Sequence, residues 1–324
     1  MTTTIEKYLN SLPDDTFILD VSSKGITFLP DLTRFKHLTK LYCSNNQITS
    51  LPTLPQTLKQ ITCFKNQITS LPTLPQTLEE LYCSDNRITS LPTLPQTLEE
   101  LYCSDNQITS LPTLPHNLKR LYCSNNQITS FPTLPQNLEI VSCFKNQITS
   151  LPTLPHNLEE LYCSNNRITS LPTLPQTLEE LGCYHNRMTS LPTLPQNLQK
   201  LYCYNNQITS LPTLPENLEE LFCYNNKLTS LPTLPENLKE LYCYNNIISE
   251  ILNNNYSLIQ IKKNIQIVNH FRHLYYCLQF KKQFRKWLWE KVREPKIQKI
   301  YNPQYLIENL GEEDDLDTVL DNWK

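Results

Sequence analysis

Eleven cysteines stand twenty residues apart from Cys43 to Cys243, and a twelfth, Cys277, lies outside the series. A thiol can bridge, ligate a metal or attack as a nucleophile, so its setting decides its chemistry. Each of the eleven occupies one frame, as in Leu58-Lys-Gln-Ile-Thr-Cys63-Phe-Lys-Asn66-Gln-Ile68, with apolar residues alternating about the thiol. Adjacent strands would hold these cysteines about 4.7–4.9 Å apart, within bridging range. In-register side chains, however, point the same way instead of at one another, and an odd ladder cannot pair fully. No His or carboxylate recurs beside them on the inward face as a metal partner. The expected role is a small buried hydrophobe.

A second set of side chains alternates with the thiols and so faces the other way. Its first column carries Tyr42, Tyr82, Tyr102, Tyr122, Tyr162, Tyr202, Phe222 and Tyr242. Where that column drops to Thr62, Ser142 or Gly182, the position two residues on supplies Phe64, Phe144 or Tyr184. The last three coils fill both columns, adding Tyr204, Tyr224 and Tyr244. Glutamates precede many of the strands, Glu220 and Glu240 among them, while Arg87, Arg167, Arg187 and Lys227 stud the far edge. Stacked rings stabilise a ladder by about 0.2–1 kcal/mol per pair. A tyrosine ribbon also makes a binding surface, because Tyr offers large contact area at low side-chain entropy. These residues form the candidate partner-binding face, and its acidic, aromatic character suits a basic peptide or protein.

The elements that would position both sets follow from the repeat. The frame Leu-x-x-Leu-x-Cys-x-x-Asn-x-Ile recurs every twenty residues from Leu38 to Ile248, separated by Thr-Ser-Leu-Pro-Thr-Leu-Pro. Such self-similarity means one unit stacked many times. Two prolines three residues apart fix φ and remove donors, so the returning arm is polyproline-like and not an α-helix. The recurrent Asn, from Asn46 to Asn246, sits where the strand bends and needs backbone partners. A divergent first strand, Leu19-Asp-Val21, opens the array, and its unit runs twenty-two residues.

This frame is the leucine-rich-repeat signature with Cys at its third apolar position. The coil resembles the short repeats of bacterial secreted effectors of the YopM/IpaH type, over residues 19–258. The implied fold is a leucine-rich-repeat solenoid with a curved parallel β-sheet on the concave side and convex arms without α-helix. Some of those effectors append a ubiquitin ligase with a Cys-x-Asp nucleophile motif. Cys277-Leu278-Gln279 lacks it, so that activity does not carry over.

Both ends of a solenoid need lids. Residues 1–18 form the N-terminal cap, with Thr3-x-x-Glu6 as a capping box. Residues 19–258 form the solenoid, and 259–324 a helical C-terminal cap. Leu258-x-x-Ile261 still fits the frame, predicting a thirteenth, imperfect strand, before helical spacing sets in from about Asn264 to Arg293 and ends at Pro295. Residues 262–299 carry eleven Lys/Arg against two Glu, while 300–324 carry seven Asp/Glu against one Lys, which predicts that the acidic tail folds back on the basic helix. The stretch Phe284-Arg-Lys-Trp-Leu-Trp-Glu-Lys-Val-Arg-Glu-Pro295, followed by Tyr301-x-Pro303-x-x-Leu306, is similar to a C-terminal segment found on proteins of giant DNA viruses. That resemblance implies action in the cytoplasm of an infected host cell.

Composition narrows the function. The net charge is −3, against nucleic-acid binding by the whole chain. The first residues have no apolar core of a secretory signal, and no run of eighteen apolar residues occurs. Three glycines leave no phosphate-cradling loop, and no Ser/His/Asp or zinc spacing appears. The expectation is a monomeric, non-enzymatic module, without cofactor or metal, that binds a protein or peptide. Two alternatives are an adaptor recruiting ubiquitin machinery or another enzyme through the C-terminal cap, and nucleic-acid binding by the basic 262–299 helix.

Overall fold

Each coil contributes one three-residue strand, and twelve of them pair side by side in sequence order as a single parallel sheet. They are β1 (Ile18–Asp20), β2 (Lys40–Tyr42), β3 (Gln60–Thr62), β4 (Glu80–Tyr82), β5 (Glu100–Tyr102), β6 (Arg120–Tyr122), β7 (Ile140–Ser142), β8 (Glu160–Tyr162), β9 (Glu180–Gly182), β10 (Lys200–Tyr202), β11 (Glu220–Phe222) and β12 (Glu240–Tyr242). The computed structural model describes residues 4–250, 258–279 and positions 286 and 290. The chain divides into two compact units, Met1–Ile265 and Gln266–Lys324.

Register follows the twenty-residue period. Leu81 faces Leu101, which faces Leu121, and the longer first unit pairs Leu19 with Leu41. Backbone pairing continues past the strands: Cys63 N–H donates to Tyr82 O at 2.8 Å and Lys65 N–H to Ser84 O at 3.1 Å. The arms between strands contain no α-helix from residue 21 to 246, as two prolines per coil require. A turn in each arm closes with Leu58 N–H donating to Pro55 O at 3.3 Å and its equivalents.

The core is one continuous column. In the coil ending at Ile68, the leucines 51, 54 and 58 come from the arm, Ile61 and Cys63 from the strand, and Ile68 closes the bend; all are buried. Burying each Leu or Ile contributes about 1.5–3 kcal/mol before chain entropy is subtracted. Cys43 to Cys243 are all buried free thiols. Burial pushes Cys103, Cys163 and Cys203 up to about 12, so these ladder thiols stay protonated at physiological pH, the form that neither ligates a metal nor attacks.

Each repeated Asn ties two coils together. Asn66 Nδ2 donates to Cys63 O at 3.1 Å in its own coil and to Cys43 O at 3.0 Å in the preceding one. Its Oδ1 accepts from Ile48 N–H at 3.0 Å. A second ladder runs through the arm. The Thr77 hydroxyl donates to Leu58 O at 2.8 Å and the Asn217 amide to Gln196 O at 3.1 Å, both in the preceding coil. This explains why only Thr or Asn occupies that column.

One position per coil, from Ser23 and Asn45 to Asn245, sits in the left-handed region at φ 52–55°. Asn and Asp tolerate that conformation because their short polar side chains bond locally. Lys65, Lys145 and His185 hold it without that relief.

The N-terminal lid is helix α1 (Thr4–Ser11), which buries Ile5 and Leu9. Arg34 fastens it: its guanidinium donates to Leu9 O and Leu12 O, pairs with Asp14 at 3.2 Å and lies 4.4 Å over the Phe35 ring. Thr3 of the expected capping box lies outside the described residues.

At the other end the structure corrects the sequence reading. No thirteenth strand forms at Leu258; helix α2 (Leu258–Gln279) begins there instead, after a 3-10 turn at Ile247–Glu250. At that point Lys263 replaces the core Cys and Gln266 the bonding Asn, so a further strand would lack both its apolar anchor and its bend. Leu258, Ile261 and Ile265 instead share one helix face and pack on the core. Lys262 Nζ donates to Glu236 O at 3.0 Å and Leu238 O at 3.3 Å. In the second unit α2 continues to Gln279, and Lys286 pairs with Glu290 at 3.8 Å. The expected helix end at Pro295, the acidic tail and the virus-like segment fall outside the described residues, apart from those two positions.

Candidate functional site

The outer face of the sheet carries the aromatic residues because they alternate with the buried Leu and Cys along each strand. Three rings form one cluster: Tyr82 and Tyr102 lie 4.7 Å apart with a tilt of 36°, and Tyr102 stacks on Tyr122 at 4.4 Å and 18°. A larger cluster occupies the last coils in two rows. Tyr184, Tyr204, Tyr224 and Tyr244 stack at successive spacings of 4.3, 4.4 and 4.6 Å, with tilts of 13° or less. Beside them Tyr202, Phe222 and Tyr242 meet edge to face at 5.0 and 4.6 Å. Face-to-face offset stacks and edge contacts are both favourable for ring quadrupoles.

The predicted residues therefore do not make one uninterrupted ribbon. Tyr42 donates to Gln60 Oε1 at 3.0 Å and Tyr162 to Glu180 Oε2 at 2.6 Å, each apart from the two clusters. Ser142 and Gly182 separate Tyr162 from its column neighbours. The Tyr162 ring leans over Gly182, where an added Cβ would come within 3.1 Å of Cδ1. Ser44, Ser124, Ser142 and Ser164, expected on the open face, are buried. The coils beside them carry rings that cover them: Phe64, Phe144, Tyr162 and Tyr184.

The glutamate row proves partly self-neutralised. Glu100 accepts from Tyr82 at 2.7 Å and from Arg120 at 2.5 Å. Glu180 takes Tyr162 and Lys200, the latter at 2.5 Å, and Glu220 takes Tyr202 at 2.5 Å. Burial pushes the Glu180 carboxyl up, but the hydrogen bonds from Lys200 and Tyr162 and the Lys200 charge outweigh it and hold the group below its ordinary value. On the phenol side, burial and then the Glu100 bond push Tyr82 well up; burial and then the Glu180 and Glu220 bonds do the same for Tyr162 and Tyr202. Burial is also the main cause that raises Tyr102 to about 12. These phenols stay protonated donors at physiological pH. Glu240, on the last strand, is exposed; its backbone N–H donates to Glu219 O at 3.0 Å, but its carboxylate makes no hydrogen bond or ion pair among the described residues. The coil-to-coil pairs Arg120–Glu100 and Lys200–Glu180 were missed in the sequence, although a base standing twenty residues after a Glu in the same column is a legible signal.

Elsewhere Arg87, Arg167, Arg187 and Lys227 lie exposed on the far edge, as expected. His185 contacts the Tyr184 and Tyr204 rings edge-on at 5.8 and 5.7 Å and bonds Asn205 at 2.8 Å. Among the described residues no group of His, Cys, Asp or Glu could hold a metal ion. No helix among them is long and apolar enough to cross a membrane.

Comparisons with known proteins agree with this geometry. YopM from Yersinia enterocolitica WA-314 is similar at 37% identity and a TM-score of 0.70, over 73% of this chain and 57% of that one. The functional domain of InlJ from Listeria monocytogenes, which includes a cysteine ladder, is similar at 29% identity and 0.64, over 72% of this chain and 54% of that one. This chain thus spans little more than half the length of either. A chain of the octameric complex of Latrophilin 3, Unc5D and the LRR part of FLRT2 is similar at 25% identity and 0.56, over 72% of this chain and 82% of that one. No curated protein matches the chain significantly. A family profile for "Leucine Rich repeats (2 copies)" matches in overlapping windows from 36–76 to 196–236, more than half of the sequence. With in-register strands, a buried Asn ladder and these matches, the chain belongs to the leucine-rich-repeat family.

Proposed function

We propose that this protein is a non-enzymatic interaction module that holds a protein partner on the aromatic face of its sheet. The observation that carries the reading is the double row of the last coils, Tyr184 to Tyr244 beside Tyr202 to Tyr242. A contiguous aromatic surface of that extent is what interfaces use, and tyrosine is enriched at their energetic centres. The similarity to a chain of a multiprotein complex supports the same use. The partner is basic where it meets the carboxylates of the edge row. The giant-virus resemblance of residues 284–306 supports a partner in the cytoplasm of an infected host cell, where the thiols remain reduced.

The test is a pull-down from the producing cell with the wild type and with Tyr204, Tyr224 and Tyr244 all changed to Ser. These rings are half-buried on the outer face, so folding survives their loss, which far-UV circular dichroism checks. The reading expects partner recovery to disappear. Undiminished recovery rejects this face as the site.

A further inference from the structure

A cleft of about 320 Å³ opens at the end of the aromatic rows, lined by Lys239, Glu240, Leu241, Tyr242, Cys243, Tyr244, Leu258 and Ile261. From its chemistry we infer that it is a socket for one cationic side chain of the partner, a lysine or an arginine. The inference rests on the reading of the aromatic face as a binding surface and names its anchor.

Three features converge on an alkyl cation. Tyr244 stacks on Tyr224 through one face, at 4.6 Å and 13°. Among the described residues no further coil follows β12 to stack on Tyr244 in turn, and Tyr244 lines the cleft. Tyr242 meets Phe222 edge-on and remains 47% exposed beside it. In the stacked row both faces of Tyr204 and Tyr224 are taken by neighbouring rings, so a cation finds the negative face of a ring at the end of that row and not in its middle.

Glu240 supplies the countercharge. Glu100 and Glu180 are engaged by Arg120 and Lys200, and Glu220 by Tyr202. Glu240 has no such partner among the described residues. Lys239 also lines the cleft, but its ammonium pairs with Glu219 at 2.7 Å and is drawn to that side. Leu241, Leu258 and Ile261 form an apolar wall against which a methylene stem can lie while its charged head meets Glu240. Two rings, one carboxylate and an apolar wall suit lysine and arginine, and an anion or a neutral polar group gains nothing there.

The test needs no partner and therefore fails separately from the pull-down. Nα-acetyl-lysine methylamide and Nα-acetyl-arginine methylamide are titrated into the full chain by saturation-transfer NMR, with the norleucine amide as the neutral isostere. The cationic amides bind with Kd on the order of 1–10 mM, at least about tenfold tighter than norleucine. Glu240→Gln and, separately, Tyr244→Leu each weaken them by about tenfold. Glu240 is exposed, so its variant folds, and norleucine binding should not change in it. Equal binding of norleucine, unchanged binding in both variants, or no saturation by either cation overturns the inference.

Discussion

The side-chain amide of Asn146 donates to the carbonyl of Cys123, one coil earlier, at 3.0 Å, while its oxygen accepts from Ile128 N–H at 2.9 Å. One side chain thus satisfies backbone groups in two coils at a point where the strand bends and cannot satisfy them itself. The same arrangement recurs along the array, from Asn66 to Asn246.

Changing Asn146 to Ala should cost about 2 kcal/mol, because the buried Ile128 N–H loses its acceptor, while the Cys123 carbonyl keeps the Asn126 amide at 3.1 Å. Urea unfolding reads the loss as a lower midpoint. Because each coil touches only its neighbours, the amide of Ile128 should exchange with solvent faster than amides several coils away. A uniform change along the chain would contradict this local role.

The left-handed column makes an opposite prediction. Lys65 and Lys145 hold φ of 53° and 52°, where most coils place Asn or Asp. Lys65→Asn and Lys145→Asn should each stabilise the fold by about 0.5–1 kcal/mol, seen as a higher melting temperature.

Gly182 carries no such φ, so its role is space and not backbone freedom. Gly182→Ala should force the Tyr162 ring to shift by a few tenths of an ångström and loosen its 2.6 Å bond to Glu180. A cost of roughly 1 kcal/mol is expected, together with a lower spectrophotometric pKa for one tyrosine.

Much of this was legible because the period is strict. A fixed twenty-residue spacing places Ile61, Cys63 and Asn66 and their counterparts identically in every coil, so alternation alone sends thiols inward and rings outward. Other features depend on neighbours twenty residues away. Ser164 is buried because Tyr184 replaces a serine in the next coil, and Glu180 is neutralised because Lys200 follows it. The start of α2 was missed because Leu258-x-x-Ile261 satisfies the strand frame and a helix face alike, and only the absent Cys and Asn separate the two. The site itself is less legible: the residue types marked the face, while the breaks at Ser142 and Gly182 divide it into clusters.

Stability should fall steeply in alkali. Burial raises the thiols above their ordinary value of 9.0, to about 12 for Cys103 and about 11 for Cys243. A folded-state value above the unfolded one means full stability below about pH 9, lost as pH rises toward the folded value. Each protected thiol adds about 1.36 kcal/mol of loss per pH unit within that window. Urea midpoints between pH 8 and 11 (roughly the span bracketed by these values) read it, and Cys103→Ala should flatten the slope.

The central claim is that coils in register turn the cysteine ladder inside and the rings outside. Timed labelling of the native protein with a thiol-specific reagent, counted by mass spectrometry, tests it most directly. The account predicts that Cys43 to Cys223 resist labelling until denaturant is added. Rapid labelling of these thiols in the native protein would contradict the register, and with it the aromatic face.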